Sequence, residues 1–183
     1  NGYYPFKDYW TIKEPFIDLL QAIFFKLFGV SWFSYVLHAS IFNCLIAIST
    51  FFLLKKFKLS NYICLFYSFC VAVLFYPTVG TPFSDHHTLI ICLFSLYSFI
   101  LGIDTKKSIY WFLTPILLGF AFMSKQAPTV YLIFLITIIS VIFFIKSKSI
   151  SSFISALLGG VTFLILFFVL FFLADIKFSD FFV

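Results

Sequence analysis

Three short polar segments contain the side chains in this sequence that could carry out chemistry. The first is residues 7–15, KDYWTIKEP, which hold two acids and two bases. Asp8 could take a proton from a hydroxyl group or hold a divalent metal ion, which makes it a candidate catalytic residue. Lys13 could neutralise a phosphate as a point charge, and Lys13 and Glu14 are candidate substrate contacts. The alternative is a solvated loop in which Glu14 stabilises the start of the following helix.

The second segment is residues 84–88, SDHHT, at the start of an apolar run. A carboxylate beside imidazoles can bind a metal ion or relay a proton. Asp85 is therefore a second candidate catalytic residue, and His86 is a candidate substrate contact. The simpler alternative is that Asp85 caps the helix that follows. Neighbouring histidines point to different sides of a helix, so we do not expect both to hold one ligand.

The third segment is residues 123–128, MSKQAP, which interrupts two apolar runs. The stretch from Ser124 to Pro128 is expected to break the helix and leave Lys125 at a membrane boundary. Lys125 and Gln126 are candidate contacts for an anionic headgroup. The alternative is an ordinary tight turn whose lysine side chain reaches into the interface.

Composition determines what kind of scaffold must hold these segments. Of the 183 residues, 63% are hydrophobic and only 10% are charged, and the mean hydropathy is +1.12. A soluble domain is about half apolar and roughly a quarter charged, so a soluble cytoplasmic enzyme is excluded. All 12 basic residues are lysines scattered among apolar runs. Because a nucleic-acid surface normally uses arginine for bidentate contacts, we expect no nucleic-acid partner.

Long apolar runs dominate the rest of the chain. A membrane-spanning helix needs ~20 apolar residues, and six runs approach or reach that length. The sequence therefore predicts an all-α fold, a polytopic helical bundle in the membrane with about six spans. The six predicted spans are residues 36–54, 62–79, 88–103, 109–123, 129–145 and 153–173, and the fourth is short for a ~30 Å hydrocarbon layer.

A few polar or small residues inside these spans carry expectations about packing. Asn43 is expected to bond a neighbouring helix, and Gly159-Gly160 in the last span is expected to allow close helix contact. His38, near the outer end of the first span, is expected at the membrane interface.

The placement of lysines predicts the orientation of the bundle. The loops after the first, third and fifth spans hold seven lysines and one acid, whereas the rest of the chain holds five lysines and six acids. Lysine-rich loops face the cytoplasm in most membrane proteins. All three polar segments then lie on the outer face, and this coincidence favours a functional interpretation of each.

The residues before the first span differ from the others. Residues 14–28 place apolar side chains at helical spacing, with Asp18, Gln21 and Lys26 on the other side, and Gly29 is expected to end the helix. This helix is too short and too amphipathic to span the membrane, so we expect it to lie in the outer membrane–water interface. The predicted organisation is an outer loop with an interfacial helix over 1–35, a transmembrane bundle over 36–174 and the start of another outer loop over 175–183.

Four short motifs carry a family resemblance: GYYPFKDYW at 2–10, KEP at 13–15, FKLFG at 25–29 and LGFAFMSK at 118–125. Together they resemble the GT-C glycosyltransferases, and more narrowly the bacterial dolichyl-phosphate-mannose-protein mannosyltransferase-like and aminoarabinose-transferase-like group. The resemblance covers most of the chain in spacing and topology. The chain departs from it at Glu14, where many members have proline, and after Lys125, where many have Gly-Pro.

The resemblance implies a membrane enzyme that takes a sugar from a polyisoprenyl-phosphate donor. The acceptor would be a lipid, a glycan or a protein on the periplasmic, extracytoplasmic face of a bacterial inner membrane, and membrane lipids would be further partners. Asp8 matches the loop aspartate that activates the acceptor, and Lys13 would contact the donor phosphate. Asp85, with His86 beside it, matches the acid of the second loop. Lys125 would lie near the carrier headgroup.

The chemistry of the candidate site leaves room for a divalent metal ion but implies no other cofactor. Asp8, Asp85 and His86 are the candidate metal ligands. The resemblance also implies a further span before Asn1 and further segments after Val183. We therefore expect this chain to be an inactive fragment when it is isolated from them.

The main alternative is a subunit of a transporter or flippase. Transporters concentrate ionisable groups near the bilayer midplane, on broken helices and often within inverted repeats. The charges of this chain instead gather at the predicted membrane boundaries, and no repeat is visible. A non-catalytic membrane scaffold is a second alternative, and it predicts that the outer acids can be replaced without loss of function.

Overall fold

A computed structural model describes residues 16–77 and 79–173 of the chain. In these ranges the protein is all-α, with seven helices and no strand. Each of the six predicted spans corresponds to one helix from α2 to α7, so the predicted fold class is confirmed. The helices are α1 (Phe16–Phe28), α2 (Trp32–Lys56), α3 (Asn61–Phe75), α4 (Ser84–Thr105), α5 (Ser108–Phe122), α6 (Gln126–Ser147) and α7 (Ile150–Leu173).

The six apolar helices differ in length. By length and composition, α2, α4, α6 and α7 can each cross a membrane, whereas α3 and α5 have only 15 residues each. At 1.5 Å per residue, 15 residues extend about 22 Å, which is short of the ~30 Å hydrocarbon layer. The short fourth predicted span is thus confirmed. The second predicted span was expected to reach residue 79, but α3 ends at Phe75 because Pro77 disfavours the helical conformation at Tyr76, which is extended.

Helix α1 occupies most of the region predicted as an interfacial helix. It ends at Phe28, and Gly29 follows with a positive φ of 80°, a conformation that glycine adopts without steric cost. The expected assignment of its faces was wrong at Gln21. That side chain is buried, whereas the apolar side chain of Leu27 is exposed. Lipid can cover an exposed leucine, but a buried amide needs polar partners, and Gln21 finds one on α2.

The core of the bundle lies where α5 packs between α4 and α7. Trp111 is fully buried on α5, and its indole nitrogen donates a hydrogen bond to the carbonyl oxygen of Gly102 on α4. On the other side, Gly159 of α7 lies so close to the backbone carbonyl of Phe112 that a Cβ atom would overlap it. The close helix contact expected at the Gly159-Gly160 pair is therefore confirmed at Gly159, while Gly160 has open space around it.

The turns between helices collect at two ends of the bundle. At one end, Lys56, the last residue of α2, forms an ion pair of 3.5 Å with Asp104 at the end of α4, and Ser108 of α5 bonds Ser151 of α7. We call this the lysine-rich end. The opposite end, where α4 and α6 begin, is the site end. The structure thus groups the loops as the sequence predicted, while the side of the membrane that each end faces stays a prediction.

Candidate functional site

The site end brings together two predicted site residues that lie 40 positions apart. The Lys125 ammonium is 2.5 Å from a carboxylate oxygen of Asp85. Both side chains are accessible, with 54% of Asp85 and 40% of Lys125 exposed. The N-cap of α4 is Phe83, so the alternative in which Asp85 caps this helix was wrong. Asp85 lies instead in the first turn of α4, where a carboxylate interacts favourably with the helix dipole.

The turn between α5 and α6 fixes the position of Lys125. The tight turn given as the alternative is present: α5 ends at Phe122, and the amide of Lys125 donates to the carbonyl of Ala121. The break in the helix is shorter than the predicted stretch from Ser124 to Pro128, because α6 already begins at Gln126 and proline is tolerated in the first turn of a helix. Ser124 and Thr129 are fully buried on either side, and the Thr129 hydroxyl donates to the Lys125 carbonyl. The backbone is therefore held firmly while the ammonium reaches toward solvent. Gln126, the adjacent candidate contact, is the first residue of α6 and its side chain is exposed.

A buried chain of hydrogen bonds lies in the same end of the bundle and joins three helices. The Nδ1 atom of His38 on α2 lies 2.8 Å from the amide oxygen of Gln21 on α1. The Nε2 atom of His38 is 2.9 Å from Nε2 of His87 on α4. With neutral rings, His38 Nδ1 donates to the Gln21 oxygen, and His87 Nε2 donates to His38 Nε2. We call these three residues the Gln21–His38–His87 chain.

The sequence interpretation missed two members of this chain. Gln21 was assigned to an outward polar face, and His38 was expected at the interface, yet both are buried. One signal was available for His38, because an ionisable residue inside a span usually faces the bundle interior. No spacing rule links positions 21 and 38. The contact depends on how α1 folds back against α2.

Several buried polar atoms at this end have no hydrogen-bond partner among the described residues. They include both ring nitrogens of His86, Nδ1 of His87, Nε2 of Gln21 and Oγ1 of Thr88. His86 is only 3% exposed and its ring stacks on Phe83. Buried polar atoms are nearly always paired in native proteins. Such a cluster is therefore suited to water or to a polar ligand.

A small cavity opens beside this cluster. It has a volume of about 130 Å³ and lies between α1, the start of α2 and the segment that leads into α4. Asp18, Gln21, Tyr35 and Ser84 contribute polar groups to its wall. With roughly 30 Å³ per water molecule, the cavity can hold a few waters or one compact polar group.

The remaining predicted site residues are not all placed. Asp8, Lys13 and Glu14 lie outside the described residues. Within the described part of the chain, no group of three His, Cys, Asp or Glu side chains is arranged to hold a metal ion. Of the three candidate ligands, Asp85 and His86 are described but do not form such a group, and the expected divalent metal stays a prediction.

The fold and the site together define a polytopic helical membrane protein with a polar site at one end of its bundle. The sequence model of the family described as dolichyl-phosphate-mannose-protein mannosyltransferase matches residues 13–172. The chain belongs to this family, and the GT-C resemblance found in its motifs is confirmed. The chain is thus an integral membrane protein of a glycosyltransferase family. No curated protein and no solved structure matches it.

Proposed function

We propose that the protein transfers a sugar from a polyisoprenyl-phosphate donor to a hydroxyl group of a lipid, glycan or protein acceptor. The reaction would take place at the site end, on the extracytoplasmic face of a bacterial inner membrane. The observation that carries this proposal is the exposed Asp85–Lys125 pair beside the buried histidines. Family membership supports glycosyl transfer in general, and it gives no support to the transporter alternative.

An exposed ion pair suits the binding of an anionic donor. Pairs of this kind stabilise a protein by only about 0–1 kcal/mol, because water screens both charges. Lys125 can therefore exchange the Asp85 carboxylate for a donor phosphate at little cost. Lys13, from the opening segment, is the second cation that we assign to the phosphate. The released Asp85 carboxylate would then accept hydrogen bonds from sugar hydroxyls.

The proposed transfer is a single displacement. Asp8 takes the proton of the acceptor hydroxyl, and the acceptor oxygen forms a bond to the anomeric carbon of the sugar. The bond between that carbon and the phosphate oxygen breaks, and its electron pair remains on the lipid phosphate. Lys13 and Lys125 stabilise the negative charge as it develops. A single displacement inverts the configuration of the anomeric carbon.

The full-length protein, reconstituted with a radiolabelled polyisoprenyl-phosphate sugar, tests this proposal. Asp8→Asn should abolish transfer of label to the acceptor, because an amide cannot take the acceptor proton. Asp104→Asn, at the lysine-rich end, is the matched control and should retain activity. Near-normal turnover in Asp8→Asn would remove Asp8 from the mechanism. Movement of the labelled donor across the vesicle membrane without sugar transfer would instead favour a flippase.

A further inference from the structure

We propose that the lysine-rich end of the bundle binds one anionic phospholipid in a groove between α2, α4 and α5. The groove has a volume of about 610 Å³ and lies at the opposite end of the bundle from the Asp85–Lys125 pair. This binding site goes beyond the proposed sugar transfer and does not depend on it.

The walls of the groove change from polar to apolar along its length. Lys56, Thr105 and Lys107 lie at its lysine-rich mouth, whereas Phe94 and Leu117 line its deep part. At 1.5 Å per residue, the stretch of α4 from Phe94 to Thr105 spans about 16 Å. Half of a ~30 Å hydrocarbon layer is about 15 Å. The groove therefore matches one leaflet, with the headgroup at the lysines and an acyl chain against the apolar walls.

The charge at the mouth favours an anionic headgroup. Lys107 is exposed and forms no ion pair with any described residue, and neither does its neighbour Lys106. Lys56 pairs with Asp104 at 3.5 Å, but both side chains are about half exposed. Such a pair is weak in water, so Lys56 can be shared with a phosphate. The local charge at the mouth is positive, as it must be to retain an anion.

The wall of the groove carries hydroxyl groups part way along its length. The Tyr97 hydroxyl bonds the Thr50 hydroxyl at 2.9 Å in the part of the groove that would face the acyl chain, whereas Tyr110 lies within one helical turn of Lys107 at the mouth. Tyr110 therefore suits the glycerol and ester region of a phospholipid, between the phosphate and the acyl chain.

Photolabelling of the purified full-length protein in lipid nanodiscs tests this proposal. The probes are phosphatidylglycerol and phosphatidylcholine that carry the same diazirine-modified acyl chain. Phosphatidylglycerol should label peptides of α4 and α5 that line the groove, and phosphatidylcholine should label them far less. Each lysine near an anionic surface contributes about fivefold to binding. In a variant with both Lys56→Gln and Lys107→Gln, labelling of the groove by phosphatidylglycerol should therefore fall at least about fivefold.

Two further variants separate lipid binding in the groove from a general effect of lost positive charge. The pair Lys146→Gln and Lys148→Gln removes the same charge outside the groove and should leave the labelling unchanged. Leu117→Trp fills the deep part without changing charge and should reduce labelling by both lipids. Equal labelling by the two lipids, no loss in the Lys56 and Lys107 variant, or no labelling of the groove would each overturn the proposal. None of these results depends on sugar transfer.

Discussion

Gln21 is the residue whose position changes the interpretation of the opening helix most. Its amide oxygen accepts from His38, which in turn accepts from His87, so one side chain links α1 to α2 and α4. The polar face of α1 is therefore directed partly into the protein. Helix α1 is therefore part of the site end, bonded to the bundle through Gln21 as well as lying at the membrane surface.

Replacement of Gln21 tests that role. Gln21→Leu removes the acceptor of the His38 hydrogen bond and leaves a buried ring nitrogen unpaired, which costs about 1–3 kcal/mol. We expect a lower unfolding temperature in detergent or nanodiscs. Lys26→Leu, an exposed position on the same helix, is the matched control and should change stability by less than about 0.5 kcal/mol. Equal stability of the two variants would contradict a structural role for the Gln21–His38–His87 chain.

The Asp85–Lys125 pair makes a separate prediction about stability. If the pair is free to open for a ligand, its coupling energy must be small. A double-mutant cycle with Asp85→Asn and Lys125→Gln should give a coupling below about 1 kcal/mol in chemical or thermal unfolding. A coupling of several kcal/mol would show that the pair holds α4 and α6 together, and it would argue against exchange with a donor phosphate.

At the scale of helices, the two adjacent glycines of α7 have different surroundings. A side chain at Gly159 would overlap the backbone of α5, whereas Gly160 has nothing within 4 Å. Gly159→Ala should therefore destabilise the protein by about 1–3 kcal/mol through overpacking. Gly160→Ala should be neutral or slightly stabilising, because alanine favours helix more than glycine does. Thermal unfolding of the two variants measures this directly, and equal effects would contradict the α5–α7 contact.

The helices were predictable from the sequence to the extent that local rules determine them. Apolar runs are long enough to identify α2 to α7, and Gly29 marked the end of α1. The end of α3 was misplaced because apolar composition continues to residue 79, whereas Pro77 stops the helix earlier. Asn43 was expected to bond a neighbouring helix, and its amide does donate to the Ala72 carbonyl of α3.

The candidate site was predictable only in part. Asp85 and Lys125 were recognised because charged residues stand out at membrane boundaries, and one orientation rule placed them on the same side. The Gln21–His38 contact joins two polar residues from helices whose packing no local pattern specifies. The atoms without partners around His86 could not be foreseen either, because hydrogen-bond satisfaction is a property of the packed structure.

At the scale of the whole molecule, the orientation in the membrane determines where the chemistry takes place. Thiol labelling of intact cells tests it, with Lys26→Cys and Lys148→Cys introduced separately into the full-length protein after its native cysteines are replaced by serine. A membrane-impermeant reagent should label position 26 in intact cells, and position 148 only after permeabilisation, because lysine-rich loops stay in the cytoplasm. The reverse pattern would place the site end in the cytoplasm.

The site end and the lysine-rich end have distinct roles in this account. The site end holds the exposed ion pair and the buried histidines, and we assign it to the donor phosphate and the sugar. The lysine-rich end holds the groove that we assign to an anionic phospholipid. Because the two sites lie at opposite ends of the bundle, a variant in one should leave binding at the other unchanged.

The most direct test of the central claim measures donor use by the full-length enzyme at varied concentrations of a polyisoprenyl-phosphate sugar. Removal of one hydrogen-bond donor that stabilises a developing oxyanion costs at least about 100-fold in rate. We therefore predict that Lys125→Gln lowers kcat/KM for the donor by about 100-fold, while Lys26→Gln leaves it unchanged. A kcat/KM for Lys125→Gln equal to that of Lys26→Gln would contradict the assignment of the donor phosphate to the site end.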